Sequence, residues 1–165
     1  MKIMLNTSKK KVLLLKLIKV IILIKDKVMT QEHKELLLQD LSTRLPYGII
    51  CDDGYGNVLE LNGIDKPNTA TFKCSDKTFW TTDLDKCKPY LFPLSSMTKE
   101  QEDEWDDLYI KPLCERLNPH TRKEDLMLRA KAGYAATFWL MENHFDYLGL
   151  IPMGLAKDAT GLNIY

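Results

Sequence analysis

Between Tyr47 and Thr82 the chain alternates short apolar, β-branched runs with dense clusters of Asp, Gly, Asn and Pro. No helix of ordinary length survives that punctuation, because Gly and Pro interrupt helical backbone and Asp and Asn compete for its hydrogen bonds. The segment is confined to short strands joined by tight turns. Tyr47–Cys51 (YGIIC) leads into the turn cluster at 52–57 (DDGYGN), and Val58–Gly63 (VLELNG) follows, which reads as a hairpin. The cluster at 65–68 (DKPN) makes a second turn. Thr69–Cys74 (TATFKC) alternates with period two, setting Ala70, Phe72 and Cys74 on one face and Thr69, Thr71 and Lys73 on the other. Ser75–Lys77 turns again before Thr78–Thr82 (TFWTT). The spacing predicts about four strands in a small antiparallel sheet, partly closed like an SH3 barrel.

Helical periods flank this region. Leu37, Leu38, Leu41 and Leu45 make one stripe in Thr30–Leu45, with Thr30 placed to N-cap it, Glu32 in the first turn and Pro46 to end it. Lys88–Leu94 (KPYLFPL) has two prolines around Tyr90 and Phe92 and reads as an extended strap. Thr98 and Gln101 form a capping box for a second helix, with Trp105, Leu108, Leu113 and Leu117 on one side and Pro112 to kink or end it. Thr121 and Glu124 open a third helix running to about Asn143. Its stripe holds Leu126, Ala130, Tyr134, Phe138 and Met141, and its second half is apolar almost all round. The tail Phe145–Tyr165 is rich in turns. The fold class is α+β: an N-terminal helix, a small antiparallel sheet, two C-terminal helices and a turn-rich tail.

The formal net charge of zero is an average over unlike pieces. Eight of the 23 Lys and Arg and one of the 23 Asp and Glu fall in residues 1–28, net +7; 15 against 22 remain for residues 29–165, net −7. The apolar stretch Val12–Ile24 is interrupted by Lys16 and Lys19, so it is a poor spanning segment, and no small-residue cleavage site follows it as in a secretory signal. Three readings of residues 1–28 stand: an extension translated from an upstream start, with the domain beginning at Met29; a basic amphipathic helix holding residues 9–27 on an anionic membrane surface; or a signal or anchor. The acidic body argues against nucleic acid, which needs a basic patch; such a charge could instead mimic nucleic acid or suit a basic partner, a reading that rests on charge alone. A cytoplasmic location follows from the weak leader.

Few residues suggest chemistry. His144 and Asp146 are the best catalytic candidates, a histidine at a helix C-terminus two residues from a carboxylate, with Cys114 as a conceivable nucleophile. The competing reading is a histidine capping the helix while Asp146 starts a turn. His33 and His120 read as surface residues. Cys51, Cys74, Cys87 and Cys114 lack the close pairs of a zinc or redox motif and read as free thiols. The acidic run Glu100–Asp107 sits on a helix, where successive carboxylates diverge, and reads as a solvated face. With no Gly-rich phosphate loop, HExxH or GxSxG, no cofactor and no metal is expected.

Several segments resemble a group of small proteins, without established activity, of gut bacteria and their phages and mobile elements. They are residues 29–41 (MTQEHKELLLQDL), 44–48 (RLPYG), 87–98 (CKPYLFPLSSMT), 144–151 (HFDYLGLI) and 154–156 (GLA), about a third of the chain. The similarity begins at Met29, which supports the upstream-start reading. In that group an arginine commonly stands at the position of Leu148, so any contact it made is lost here. The resemblance implies architecture and not chemistry. It draws attention to the aromatics Tyr90, Phe92, Phe145 and Tyr147, which either lock loops onto the core or form a surface for a protein partner. The expectation is a non-enzymatic, cytosolic interaction or regulatory protein of a phage or mobile element. Two rivals are a small enzyme using His144 and Asp146, and a membrane-surface protein.

Overall fold

The structure, a computed structural model, describes residues 29–66, 68–74, 78–114 and 122–165. The basic leader, Leu117, His120 and Thr121 lie outside the described residues, as do the side chains of Leu113, Cys114, Glu124 and Leu126. The chain divides into two units, residues 1–34 and 35–165. In the first, Thr30 Oγ1 accepts the His33 N–H at 3.2 Å. That is the predicted cap, and it opens helix α1 (Gln31–Arg44).

In the second unit a 3₁₀ turn, Leu45–Tyr47, follows α1, with Pro46 in its first positions and Gly48 at φ 73° closing it. Six strands come next: β1 (Ile50–Asp52), β2 (Val58–Lys66), β3 (Thr69–Lys73), β4 (Phe79–Asp83), β5 (Lys88–Leu91) and, near the C-terminus, β6 (Lys157–Asp158). They form one open sheet in the order β4-β3-β2-β1-β5-β6, antiparallel except for the β5–β6 pair. The expectation of about four strands in an SH3-like, partly closed barrel is therefore corrected. The predicted hairpins exist, but the strap at Tyr90 is itself a strand, and the tail supplies a sixth.

Proline hid the fifth strand. Pro89 has no N–H to give, which ordinarily argues against a strand flanked on both sides. Here Cys51 pairs with Pro89, and the Tyr165 hydroxyl supplies further bonding nearby. It accepts the Ile50 N–H at 3.2 Å and donates to the Tyr90 carbonyl at 2.7 Å, bridging β1 to β5.

The registers Cys51 with Pro89 and Leu61 with Phe72 gather the core residues onto one face of the sheet. Ile49, Cys51, Leu61, Ala70, Phe72 and Leu91 are all fully or almost fully buried. Each such large side chain contributes roughly 1.5–3 kcal/mol.

Helix α2 (Lys99–Cys114) starts on the predicted capping box: Thr98 N–H donates to Gln101 Oε1 at 2.9 Å, and Gln101 N–H to Thr98 Oγ1 at 3.3 Å. It continues through Pro112 to Cys114, the last described residue before 115–121. Helix α3 (Arg122–Glu142) buries Ala132, Ala136, Trp139, Leu140 and, from the expected stripe, Met141, whereas Tyr134 of that stripe is 67% exposed. Both faces are apolar enough for a stripe, so packing chose between them. Trp105 and Leu108 of α2 pack against the cluster formed by Trp139 and Leu140 of α3 with Phe145. Among the described residues no helix is long and apolar enough to cross a membrane.

Candidate functional site

Helix α3 ends in a Schellman motif. Phe145 N–H reaches back to the Leu140 carbonyl at 2.8 Å, and His144 N–H to that of Met141 at 3.1 Å. The residue between must be left-handed, a place usually taken by glycine. Here it is His144, at φ 58°. An L-residue in that conformation costs about 1–2 kcal/mol. Phe145, the next residue, stacks on Trp139 at 5.7 Å and buries itself with Leu140, the apolar contact this motif favours.

Three segments singled out in the sequence converge on this cap. From 44–48, Arg44 Nη2 donates to the Phe145 carbonyl at 2.7 Å and Nη1 to that of Met141 at 3.4 Å. Its Nε sits 2.9 Å from both oxygens of Asp40, one turn back on α1, and its guanidinium lies 5.2 Å over the Tyr147 ring. Asp40 and Arg44 are completely buried. Burial lifts the Asp40 carboxyl above its ordinary range, and Arg44 opposes that rise. From 87–98, Phe92 N–H donates to the His144 carbonyl at 2.9 Å, and its carbonyl accepts from Asp146 N–H at 2.8 Å.

The two catalytic candidates have separate local roles. Both Asp146 oxygens are taken by backbone: Oδ1 accepts Leu150 N–H at 2.7 Å and Oδ2 accepts Ile151 N–H at 2.8 Å. His144 is buried and stacks at 3.8 Å on Tyr165, and its Nδ1 has no hydrogen-bond partner among the described residues. Asp146 therefore does not orient the imidazole. Burial, reinforced by the Arg44 charge, brings the His144 pKa down to about 4, so the ring is neutral at pH 7.

Tyr90 and Phe145 are buried, while Phe92 and Tyr147 are half-buried and pack against Trp139, Leu140 and Phe145. Beside His144, Phe92 and Tyr165 border a cavity of about 400 Å³ whose remaining wall includes Ser96, Gln101 and Glu142.

Comparison with protein-family models, curated proteins and solved structures found no match.

Cys51, Cys74 and Cys87 are free thiols; burial pushes Cys87 up to about 12 and Cys51 well above the ordinary thiol value, so both stay protonated at neutral pH. The acidic run lies on an exposed helix face where Lys99 pairs with Asp103 at 2.9 Å. Among the described residues no three His, Cys, Asp or Glu converge as metal ligands. His33 is half-buried.

A feature the sequence reading passed over is the outer edge of the sheet. Phe79 and Trp80 on β4 are 61% and 43% exposed, and Tyr55, from the β1–β2 turn, is 60% exposed. Tyr55 and Trp80 meet edge to face at 6.0 Å. Lys86 Nζ lies 5.4 Å over the Tyr55 ring and 3.0 Å from Asp83, beside a groove of about 370 Å³. The signal was present in the run TFWTT, whose consecutive aromatics cannot both face a core.

Proposed function

We propose that residues 29–165 act as a non-enzymatic, cytosolic interaction module that takes up an extended, basic segment of a partner protein along β4. The exposed aromatic edge carries this reading. Cys74 N–H donates to Thr78 O at 2.9 Å and Leu84 N–H to Asn68 O at 2.8 Å, so bonded and non-bonded pairs alternate between those limits. Trp80 and Thr82 then bond inward to β3, and Phe79 and Thr81 turn their N–H and C=O outward. Among the described residues no strand pairs with that outer side. An open edge with aromatic side chains is the arrangement by which sheets accept an added strand.

Charge favours a basic occupant. Residues 29–165 carry −7, a long-range attraction for a basic segment, while within the groove Asp83 is already paired with Lys86. The resemblance supports placing such a module on a phage or mobile element.

Selection from a displayed library of random heptapeptides, followed by measured affinities for the full chain, tests this. Enriched peptides are expected to be basic, to slow amide exchange at Phe79 and Thr81, and to bind about tenfold more weakly to Trp80→Ala. Acidic or uncharged enriched peptides, or affinity unchanged by Trp80→Ala, would overturn the proposal.

A further inference from the structure

The cavity beside His144 shares no residue with the β4 groove and calls for its own explanation. We propose that it binds a small planar nitrogen heterocycle of the nucleobase class, uncharged or cationic. At about 400 Å³ it lies within the range of small-molecule sites.

Its polar groups are built in. His144 is 8% exposed, and its Nδ1 is buried without a partner. The left-handed backbone needs a reason, since glycine there would remove the strain and keep the same cap. A stranded N–H is rarer than a stranded lone pair, so we assign the single proton of this neutral ring to Nε2, which makes it a donor.

The wall offers both donors and acceptors. Gln101 Oε1 is committed to Thr98 N–H, which leaves its amide nitrogen to donate. Asn143 Nδ2 donates to Trp139 O at 3.0 Å and Ser96 Oγ to Pro93 O at 2.7 Å, which leaves Asn143 Oδ1 and the Ser96 lone pairs to accept. Aromatic rings at Phe92, Phe145 and Tyr165 suit a flat ligand. Among the described lining residues Glu142 is the one charged side chain, so a phosphate would meet a like charge, while Arg44, whose charge reaches His144, is fully buried and already paired with Asp40. The chemistry selects a base or nucleoside and rejects the nucleotide.

The test is titration of the full chain, labelled with ¹⁵N-histidine, by adenine, guanine, adenosine and adenosine monophosphate. Adenine or guanine is expected to move the His144 ring nitrogens along a saturable curve, adenosine to follow, and the monophosphate to bind at least about tenfold more weakly. His144→Asn keeps a residue tolerant of the left-handed backbone and is expected to lose about tenfold in affinity. Glu142→Gln is expected to narrow the gap between adenosine and its monophosphate. The proposal fails if no base gives a saturable shift up to its solubility limit, if the monophosphate binds as tightly as adenosine, or if His144→Asn binds as well as the parent. Should that variant not fold, Gln101→Leu reads the same wall, and undiminished base affinity there overturns the proposal equally.

Discussion

Arg44 has no exposed surface, so its guanidinium has exchanged its water for the Asp40 carboxylate, two main-chain carbonyls and the face of Tyr147. Breaking a buried pair from one side strands the other charge. Arg44→Met is expected to cost about 3–5 kcal/mol in denaturant unfolding. Adding Asp40→Leu should recover much of that and leave a deficit of about 1–3 kcal/mol for the carbonyls of Met141 and Phe145. If the double variant is no more stable than the single one, the pair is not what Arg44 stabilises.

His144 predicts a pH dependence of definite sign. Its folded pKa is about 4 against 6.5 unfolded, so the unfolded chain binds the extra proton. The contribution is complete above pH 6.5 and is lost as pH falls towards 4. Among the described residues, Arg44 acts on the ring through its charge, Tyr165 stacks on it and Glu142 lines the same cavity. Asp40, whose pKa is raised, acts in the opposite direction, so the comparison must be with a variant and not with pH alone. His144→Asn should lose stability less steeply than the parent between pH 6.5 and 4; equal slopes would refute the assignment.

Among the elements, the β1–β2 turn shows how local chemistry fixes a shape. Asp53 Oδ1 accepts the N–H groups of Tyr55 and Asn57 at 2.8 and 3.1 Å, and Asp52 Oδ1 accepts that of Gly54 at 2.6 Å. Gly54 is left-handed at φ 82°, and a Cβ there would stand 2.7 Å from the Cβ of Lys86 and 2.9 Å from its carbonyl. Gly54→Ala therefore meets backbone strain and a collision together, and a loss of roughly 2 kcal/mol or more in unfolding free energy is expected. On β4, proline distinguishes the two sides of one strand. Thr82→Pro removes an inward ladder bond and should unfold the edge, whereas Thr81→Pro removes an outward N–H and should cost little stability while abolishing peptide uptake. Thermal melts beside peptide affinities decide this; similar melting losses for both would show the inferred alternation to be wrong.

At the scale of the whole molecule, one phenol links three distant segments. Tyr165 ties Ile50 to Tyr90 across 115 and 75 residues of sequence, and its ring covers His144. Tyr165→Phe keeps the stacking and deletes only the hydroxyl. It is expected to cost about 1–3 kcal/mol and to speed exchange of the Ile50 amide. Unchanged exchange there would mean that solvent replaces the hydroxyl without penalty.

The strands at 58–66, 69–73 and 79–83, the Thr30 cap and the Thr98–Gln101 box are legible in the chain because turn residues, period-two alternation and capping pairs act over four or five neighbours. The HFDY segment was half legible: a cap and a turn were expected there, but not that Arg44 and Phe92 would meet them. Pairing of β5 with β1, the choice of the buried face of α3, the burial of Arg44 and the cavity beside His144 all depend on groups tens of residues apart. No periodicity encodes such meetings, since the free energy that decides them is the desolvation and packing of whole faces against one another, which exists only once the chain has folded.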